Sequence, residues 1–173
     1  PTVLVVSPWA ALREQLARDS GWRFWKKIGQ DPTRWPASVH QFIPSNVHLG
    51  LQKAIQEKTV LLCTIQTLQA IYRDQEDNYE SLKKVVSLVV VDEGHREPAP
   101  EWAKAVRALA KPTVLFTATP YRNDHKIFNV DLNFAFFLSH QEAVEDRFIR
   151  EVRFCEKEFD SSRERFVDAF LSF

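Results

Sequence analysis

Apolar, β-rich runs alternate along the chain with segments in which apolar residues recur every three or four positions. This alternation predicts parallel strands joined by crossover helices, and therefore an α/β fold. The clearest strand is Val85 to Val91, because an almost unbroken apolar run is typical of a strand covered on both faces. We expect a mostly parallel sheet with helices on both faces, and its strands are predicted at Val3 to Val6, Val39 to Ile43, Thr59 to Cys63, Val85 to Val91, Thr113 to Phe116 and Glu151 to Phe154.

The predicted helices turn apolar residues inward, at Trp9, Leu12 and Leu16, at Val47, Leu51, Ala54 and Ile55, and at Trp102, Val106 and Leu109. Arg13 falls on the opposite side of the first helix, which is expected to face solvent. Helical spacing also occurs at Gln66 to Tyr72 and at Ser162 to Phe173. The acid-rich segment from Arg73 to Glu80 predicts instead a surface loop or a fraying helix end.

The composition indicates a single domain with neither a disulfide framework nor a membrane span. A chain of 173 residues that is 45% hydrophobic suffices for one well-buried domain. Its 23 basic and 23 acidic residues cancel, so any binding of nucleic acid would rest on a local patch. Two cysteines, Cys63 and Cys155, form no disulfide framework, and no apolar run has the length of a membrane span. We expect a cytoplasmic protein and no membrane partner.

Three polar clusters follow predicted strands, and ligands of an open α/β sheet gather at such strand ends. They are Ser7-Pro8, Asp92 to His95 and Thr117 to Thr119. Two successive carboxylates after an apolar strand suit nucleotide hydrolysis: Asp92 would hold Mg²⁺, usually through water, and Glu93 would orient or deprotonate the attacking water. Gly94 gives the backbone room to turn. Taken alone, these acids are explained equally well by a solvated turn at the end of a strand.

Four stretches taken together say more than any one of them. They are Leu4 to Pro8 with Leu12 and Gln15, Cys63 to Leu68, Val90 to His95, and Phe116 to Arg122. In this order they resemble motif Ia, the threonine-bearing segment before motif II, motif II in its DExH form, and motif III of superfamily 2 helicases and translocases. Residues 118–122 (ATPYR) and 142–146 (EAVED), the latter leading to Ile149, are closest to the branch of type III restriction motor subunits and excision-repair helicases. The resemblance covers residues 3–154.

The resemblance implies a RecA-like domain of the P-loop NTPase type that uses ATP and Mg²⁺ and acts on nucleic acid, DNA rather than RNA. It implies that Asp92, Glu93 and His95 are catalytic, with His95 relaying the state of the γ-phosphate. Thr117 and Thr119 would couple the nucleotide site to the nucleic-acid track. Ser7, Thr64 and Gln66 match positions that contact the phosphate backbone. As isolated residues, Thr117 and Thr119 would more often be ordinary turn hydroxyls.

The chain departs from the family in one respect. A phosphate loop requires G-x-x-x-x-G-K-[ST], and none of the four glycines, at positions 21, 29, 50 and 94, precedes a lysine. Because the family places this loop just before motif Ia, we expect an N-terminally truncated domain over residues 1–155. Residues 156–173 would be a helical extension or the start of the connection to a missing second RecA-like domain of the same polypeptide. Such a chain is expected to be inactive alone.

Two alternatives from other classes remain open. One is a non-catalytic module that kept the RecA-like fold and binds nucleic acid or protein, which the missing phosphate loop would also explain. The other is a Walker-type ATPase that handles no nucleic acid. Stimulation of ATP turnover by nucleic acid separates the helicase interpretation from both.

Overall fold

The structure is a computed structural model that describes residues 1–20, 22–31, 38–94, 100–118 and 132–150. The chain divides into two compact units, Pro1–Asn129 and Val130–Phe173. The strand predicted at residues 151–154, the helix predicted at 162–173 and the domain boundary predicted after residue 155 lie outside the described residues. In order along the first unit, its described elements are β1 (Thr2–Ser7), α1 (Ala10–Asp19), α2 (Trp22–Lys27), β2 (Ser38–Gln41), α3 (Val47–Gln56), β3 (Thr59–Thr64), α4 (Ile65–Asp74), α5 (Glu76–Val85), β4 (Val86–Val91), α6 (Pro100–Arg107) and β5 (Thr113–Leu115).

The strands of the described residues form one five-stranded sheet in the order β2-β3-β1-β4-β5. Every neighbouring pair is parallel, so the expected α/β fold is confirmed, with an all-parallel sheet. Parallel strands end at the same edge of a sheet, and we call this edge, with the residues that directly follow each strand, the carboxyl edge. The register places Ser7 at the end of β1 beside Thr64 at the end of β3.

Helices flank both faces of this sheet. Within the sheet, the connection from β1 leads towards β2, whereas the connections from β2, β3 and β4 all lead in the opposite direction, towards β5. Because such crossovers are right-handed, α1 and α2 lie on one face of the sheet and α3 to α6 lie on the other. The second face is the better covered. Leu4 and Val6 of β1 are fully buried among residues of α3 to α6, whereas Val3 and Val5, which alternate with them, are only partly buried.

Residues 73–80, predicted as a surface loop or a fraying helix end, are helical except at Gln75, so the loop prediction was wrong. Helix α4 runs to Asp74, and α5 begins two residues later with acidic side chains in its first turn, where the helix dipole favours negative charge. Tyr79 and Leu82 bury one face of α5. The Tyr79 hydroxyl donates a hydrogen bond to the Ala105 carbonyl at 2.8 Å, which ties α5 to α6. Burial also raises the pKa of Tyr79, so the hydroxyl stays protonated and able to donate.

Helix α1 packs on the sheet with most of the predicted face inward, and two residues differ from the prediction. Leu12 and Leu16 are partly buried as expected, whereas Trp9 is 51% exposed. Arg13, predicted to face solvent, has a side chain only 13% exposed. Its Nε donates a hydrogen bond to Oε1 of Gln41, the last residue of β2, at 3.1 Å. A long basic side chain can lay its aliphatic stem on the protein and keep its charged end at the surface, which periodicity alone does not reveal.

Helix α3 covers the edge strand β2. Val47 and Leu51 are buried as predicted, while Ile55 is 71% exposed and does not belong to the inward face. A Cβ at Gly50 would lie 2.8 Å from Cδ2 of His40, so the absence of a side chain there lets α3 approach β2 closely. Burial against this helix lowers the pKa of His40.

The described part of the second unit contains a 3₁₀ turn at Leu132–Phe134 and helix α7 at His140–Glu145. Ser139 caps α7, because its hydroxyl accepts the Glu142 amide hydrogen at 3.1 Å while the Glu142 carboxylate accepts the Ser139 amide hydrogen at 2.9 Å. The Ser139 hydroxyl also lies 2.7 Å from the Glu142 carboxylate, and its hydrogen bond to that carboxylate, followed by the one from the Ser139 amide, lowers the pKa of Glu142. Among the described residues, no helix is both long enough and apolar enough to cross a membrane.

Candidate functional site

The described residues of the three polar clusters predicted from the sequence lie along the carboxyl edge. The Asp92 amide donates a hydrogen bond to the Val6 carbonyl at 3.0 Å, so Asp92 lies directly beside the end of β1. On its other side, the Phe116 amide donates to the Val91 carbonyl at 2.8 Å. The strand order therefore sets Thr64, Ser7, Asp92 and Thr117 in a row. This row is the arrangement that a parallel sheet imposes on residues that follow its strands.

The acidic turn after β4 has an unusual backbone. Oδ1 of Asp92 accepts the Glu93 amide hydrogen at 2.9 Å, and Glu93 has φ of +55°. Side chains with a Cβ rarely adopt this left-handed conformation, which costs roughly 1–2 kcal/mol. The Gly94 amide then donates to the Phe116 carbonyl at 2.7 Å, which joins the turn to the exit of β5. The acids are thus held by two neighbouring strands.

Gly94 is required for close approach to β5. A Cβ at this position would lie 2.9 Å from the Leu115 Cβ and 3.3 Å from the Phe116 carbonyl oxygen. Such contacts would push β4 and β5 apart, and here the obstacle includes backbone, which cannot rotate away. The sequence pattern indicated a glycine for conformational freedom, whereas the structure shows that it provides space.

The donor atoms at this turn suit a magnesium ion held mainly by water and phosphate. Mg²⁺ prefers oxygen ligands and usually keeps several waters, so one or two carboxylates complete its protein shell. Asp92 supplies a half-buried carboxylate, one of whose oxygens already accepts a backbone hydrogen. Within the part of the chain that the structure describes, no three His, Cys, Asp or Glu side chains cluster as metal ligands. The residues present therefore fit a water-mediated ion at Asp92 and give no sign of an all-protein cage.

Ser7 lies at the edge with its hydroxyl turned into the protein. Its side chain is 1% exposed, and Oγ is 3.2 Å from the Trp9 carbonyl and 3.4 Å from the Cys63 carbonyl. Either carbonyl can accept the single hydroxyl hydrogen. The bond to Cys63 would tie the ends of β1 and β3 together. In this conformation Ser7 shapes the carboxyl edge.

Thr64 and Gln66 differ from each other in exposure. Thr64 is buried and caps α4, since its hydroxyl oxygen accepts the Thr67 amide hydrogen at 3.2 Å and lies 3.0 Å from the Thr67 hydroxyl. Gln66, in the first turn of the same helix, is exposed. Of the three residues predicted to contact a phosphate backbone, Gln66 is the one whose side chain is open to solvent at this edge. Contact of all three with phosphate stays a prediction.

Of the three remaining predicted site residues, the structure describes Thr117. Thr117 follows β5 and is half-buried next to Phe116, the partner of the acidic turn. His95 and Thr119 lie outside the described residues. The relay and coupling roles of these three residues therefore stay predictions.

Arg13 and Gln41 also lie at the carboxyl edge, and the sequence pattern did not single them out. Their hydrogen bond places the Arg13 side chain beside the end of β2. The Arg13 charge also acts on Cys63 near the end of β3: burial raises the pKa of that thiol, and the guanidinium partly opposes the rise. The sequence held one signal that Arg13 faces inward. Position 13 precedes the inward-facing Leu16 by three residues and therefore lies on the same side of the helix.

Comparison with known sequences gives the family. No curated protein matches the chain in sequence. The family model described as type III restriction enzyme, res subunit, matches residues 1–122. The match spans all five described strands, the acidic turn and the residues that follow β5. Members of this family are typically ATP-dependent helicases or translocases, bind nucleoside triphosphates and generally act on DNA. The chain, with its all-parallel sheet and its acidic turn beside β5, belongs to the family of the type III restriction enzyme res subunit.

Proposed function

We propose that residues 1–173 are part of the first motor domain of an ATP-dependent DNA helicase or translocase, in which Asp92 and Glu93 serve ATP hydrolysis. The observation that carries this proposal is the acidic turn itself. It follows a buried strand in the interior of the sheet, and the bond from the Gly94 amide to the Phe116 carbonyl joins it to the exit of β5. A motor must transmit whether ATP or its product is bound. A nucleotide site that is bonded to the end of a neighbouring strand has a route for this.

The two acids divide the work. The Glu93 carboxylate accepts a proton from, or orients, the water that attacks the γ-phosphate. Asp92 holds the hydrated Mg²⁺, which when bound neutralises charge on the phosphates. His95, Thr117 and Thr119 pass the state of the γ-phosphate towards the DNA. Ser7, Thr64 and Gln66 form the side of the carboxyl edge along which the DNA backbone lies.

A phosphate loop from outside residues 1–173 would complete this site, and the sheet favours one place for its strand. Neighbouring strands are about 4.8 Å apart, so a strand added beyond β5 would lie roughly 10 Å from β4. A strand added beyond β2 would lie about twice as far away. Among the described residues β5 is the outermost strand on this side of the sheet, so a further strand can pair with its outer backbone groups. We place the phosphate-loop strand beyond β5 and the second motor domain elsewhere in the same polypeptide.

A non-catalytic DNA-binding module is the second candidate, and the absence of G-x-x-x-x-G-K from residues 1–173 favours it. The two candidates differ in ATP turnover. A motor hydrolyses ATP faster when DNA is present, whereas a binding module does not hydrolyse it at all.

The test compares ATP hydrolysis with and without single-stranded DNA for two proteins. One is the 173-residue chain, and the other is a polypeptide in which a phosphate loop and a second motor domain accompany these residues. We expect background turnover from the first, because magnesium and a base cannot act on a nucleotide that is not held. We expect DNA-stimulated turnover from the second. Robust hydrolysis by the 173-residue chain would contradict the assigned nucleotide site, and a longer polypeptide without ATPase activity would support the binding module.

A further inference from the structure

Arg13 is a positive charge held in a defined place at the carboxyl edge. Its Nε donates to Oε1 of Gln41 at 3.1 Å, so the end of β2 fixes the plane of the guanidinium group. Its Nη2 lies 3.7 Å from Oε1 of Glu14, a side chain that is 62% exposed. The Arg13 side chain is only 13% exposed, and its contact with this surface carboxylate marks the side on which the guanidinium comes closest to solvent.

The other cations placed by the sheet topology lie elsewhere. Lys58 and Lys111 come just before β3 and β5, and parallel strands begin at the edge opposite to the carboxyl edge. Arg18 is in the last turn of α1, about 7.5 Å further along the helix axis than Arg13. Arg13 therefore brings positive charge to the side of the carboxyl edge where β2 and β3 end.

The pairing of Arg13 leaves room for a phosphate. A guanidinium has five N–H donors in a planar fork, and the bond to Gln41 uses one of them. The contact with Glu14 is long, and an exposed ion pair of this kind contributes little to stability. A phosphate oxygen can therefore take up the outer donors, while Gln41, which is uncharged, orients the group without neutralising it.

We propose that Arg13, oriented by Gln41, contacts a phosphate of the DNA strand where it passes over the ends of β2 and β3. This inference rests on the proposed DNA-binding function and extends the phosphate contacts beyond Ser7, Thr64 and Gln66. In this proposal Gln41 orients the Arg13 guanidinium for phosphate, and does not merely connect α1 to β2. Arg13 adds a charged donor to the predicted contacts, and of those contacts Gln66 is the one with an exposed side chain.

Binding of a fluorescein-labelled oligodeoxythymidine, measured by anisotropy over a range of salt concentrations, tests the proposal on the 173-residue chain. Arg13→Ala removes the contact. Gln41→Glu gives Arg13 a charged partner, so it strengthens the tie between α1 and β2 but neutralises the charge that meets DNA. Arg18→Ala is the control, since it removes the same charge from the other end of α1. Thermal unfolding of each variant reports on the structural role separately.

For Arg13→Ala and Gln41→Glu we expect affinity to fall about fivefold at ~0.1 M salt, with the slope of log K against log salt smaller by about 0.7. Arg18→Ala should keep the slope, and Gln41→Glu should unfold at a temperature no lower than the unaltered chain. If both edge variants keep the affinity and slope while the unaltered chain binds DNA, this inference is wrong and the proposed function stands. A loss with Arg18→Ala equal to that with Arg13→Ala also overturns it. If the unaltered chain does not bind DNA at low salt, the DNA-binding part of the proposed function fails together with this inference.

Discussion

Glu93, the proposed base, has a strained backbone. Its φ of +55° lies in the left-handed region, where an L side chain is disfavoured and glycine is not. Strain of this kind persists only where the surroundings impose it, and it concentrates at functional sites. Here the surroundings are the bond from its own amide to Asp92 and the bond from Gly94 to the exit of β5. We interpret the strain as the cost of presenting a carboxylate at this turn.

Glu93→Gly should therefore stabilise the 173-residue chain while it removes the proposed base. Relief of the left-handed conformation gains roughly 1–2 kcal/mol, and the greater freedom of glycine in the unfolded chain takes back about 0.5–1 kcal/mol. The expected net gain is about 0.5–1 kcal/mol in the free energy of unfolding, measured by urea denaturation. Ala110→Gly is a matched control, because Ala110 has φ of +53° just after α6 and no proposed role. A gain with Ala110→Gly and none with Glu93→Gly would show that the Glu93 side chain compensates for its backbone, which contradicts the strain interpretation.

The elements differed in how well their sequence predicted them. Strand β4 was predicted to within one residue, because an almost unbroken apolar run of this length has few alternative structures. Helix α5 was missed, since most of its residues are charged or polar and only Tyr79 and Leu82 are fully buried. Its stability comes from packing against other helices, which local composition does not show. The inward position of Arg13 was also missed, because its hydrogen-bond partner Gln41 is distant in sequence.

Tyr79→Phe tests whether the contact between α5 and α6 holds the missed helix in place. The substitution keeps the buried ring and removes the hydroxyl, which leaves the Ala105 carbonyl without this 2.8 Å bond. Loss of a buried hydrogen bond typically costs about 1–2 kcal/mol, and we expect that decrease in the free energy of unfolding by urea denaturation. Tyr72→Phe is the control, since Tyr72 is 41% exposed and packs edge-on to Tyr79 at a centroid distance of 4.9 Å. Equal effects from both substitutions would contradict a specific role for the hydroxyl.

The sequence predicted which residues share the carboxyl edge better than it predicted where their side chains point. That Ser7, Asp92 and Thr117 share one edge follows from the parallel sheet alone, since strands of one direction end together. That the Ser7 and Thr64 hydroxyls turn inward does not follow, because a hydroxyl can bond to any nearby carbonyl or amide and the choice depends on packing. The net charge of zero likewise gave no sign of Arg13, whose effect depends on its position at the carboxyl edge.

The family assignment and the acidic turn converge on one chemical claim, that Glu93 is the base for ATP hydrolysis. The most direct test is Glu93→Gln in a polypeptide in which a phosphate loop and a second motor domain accompany residues 1–173. Glutamine keeps the size and a hydrogen-bonding oxygen but cannot accept the proton, so hydrolysis and binding should separate. We predict that DNA-stimulated ATP turnover falls by about a hundredfold to ten-thousandfold while the affinity for ATP changes little. Turnover within about threefold of the unaltered protein, well short of the effect of losing a general base, would show that Glu93 is not the base.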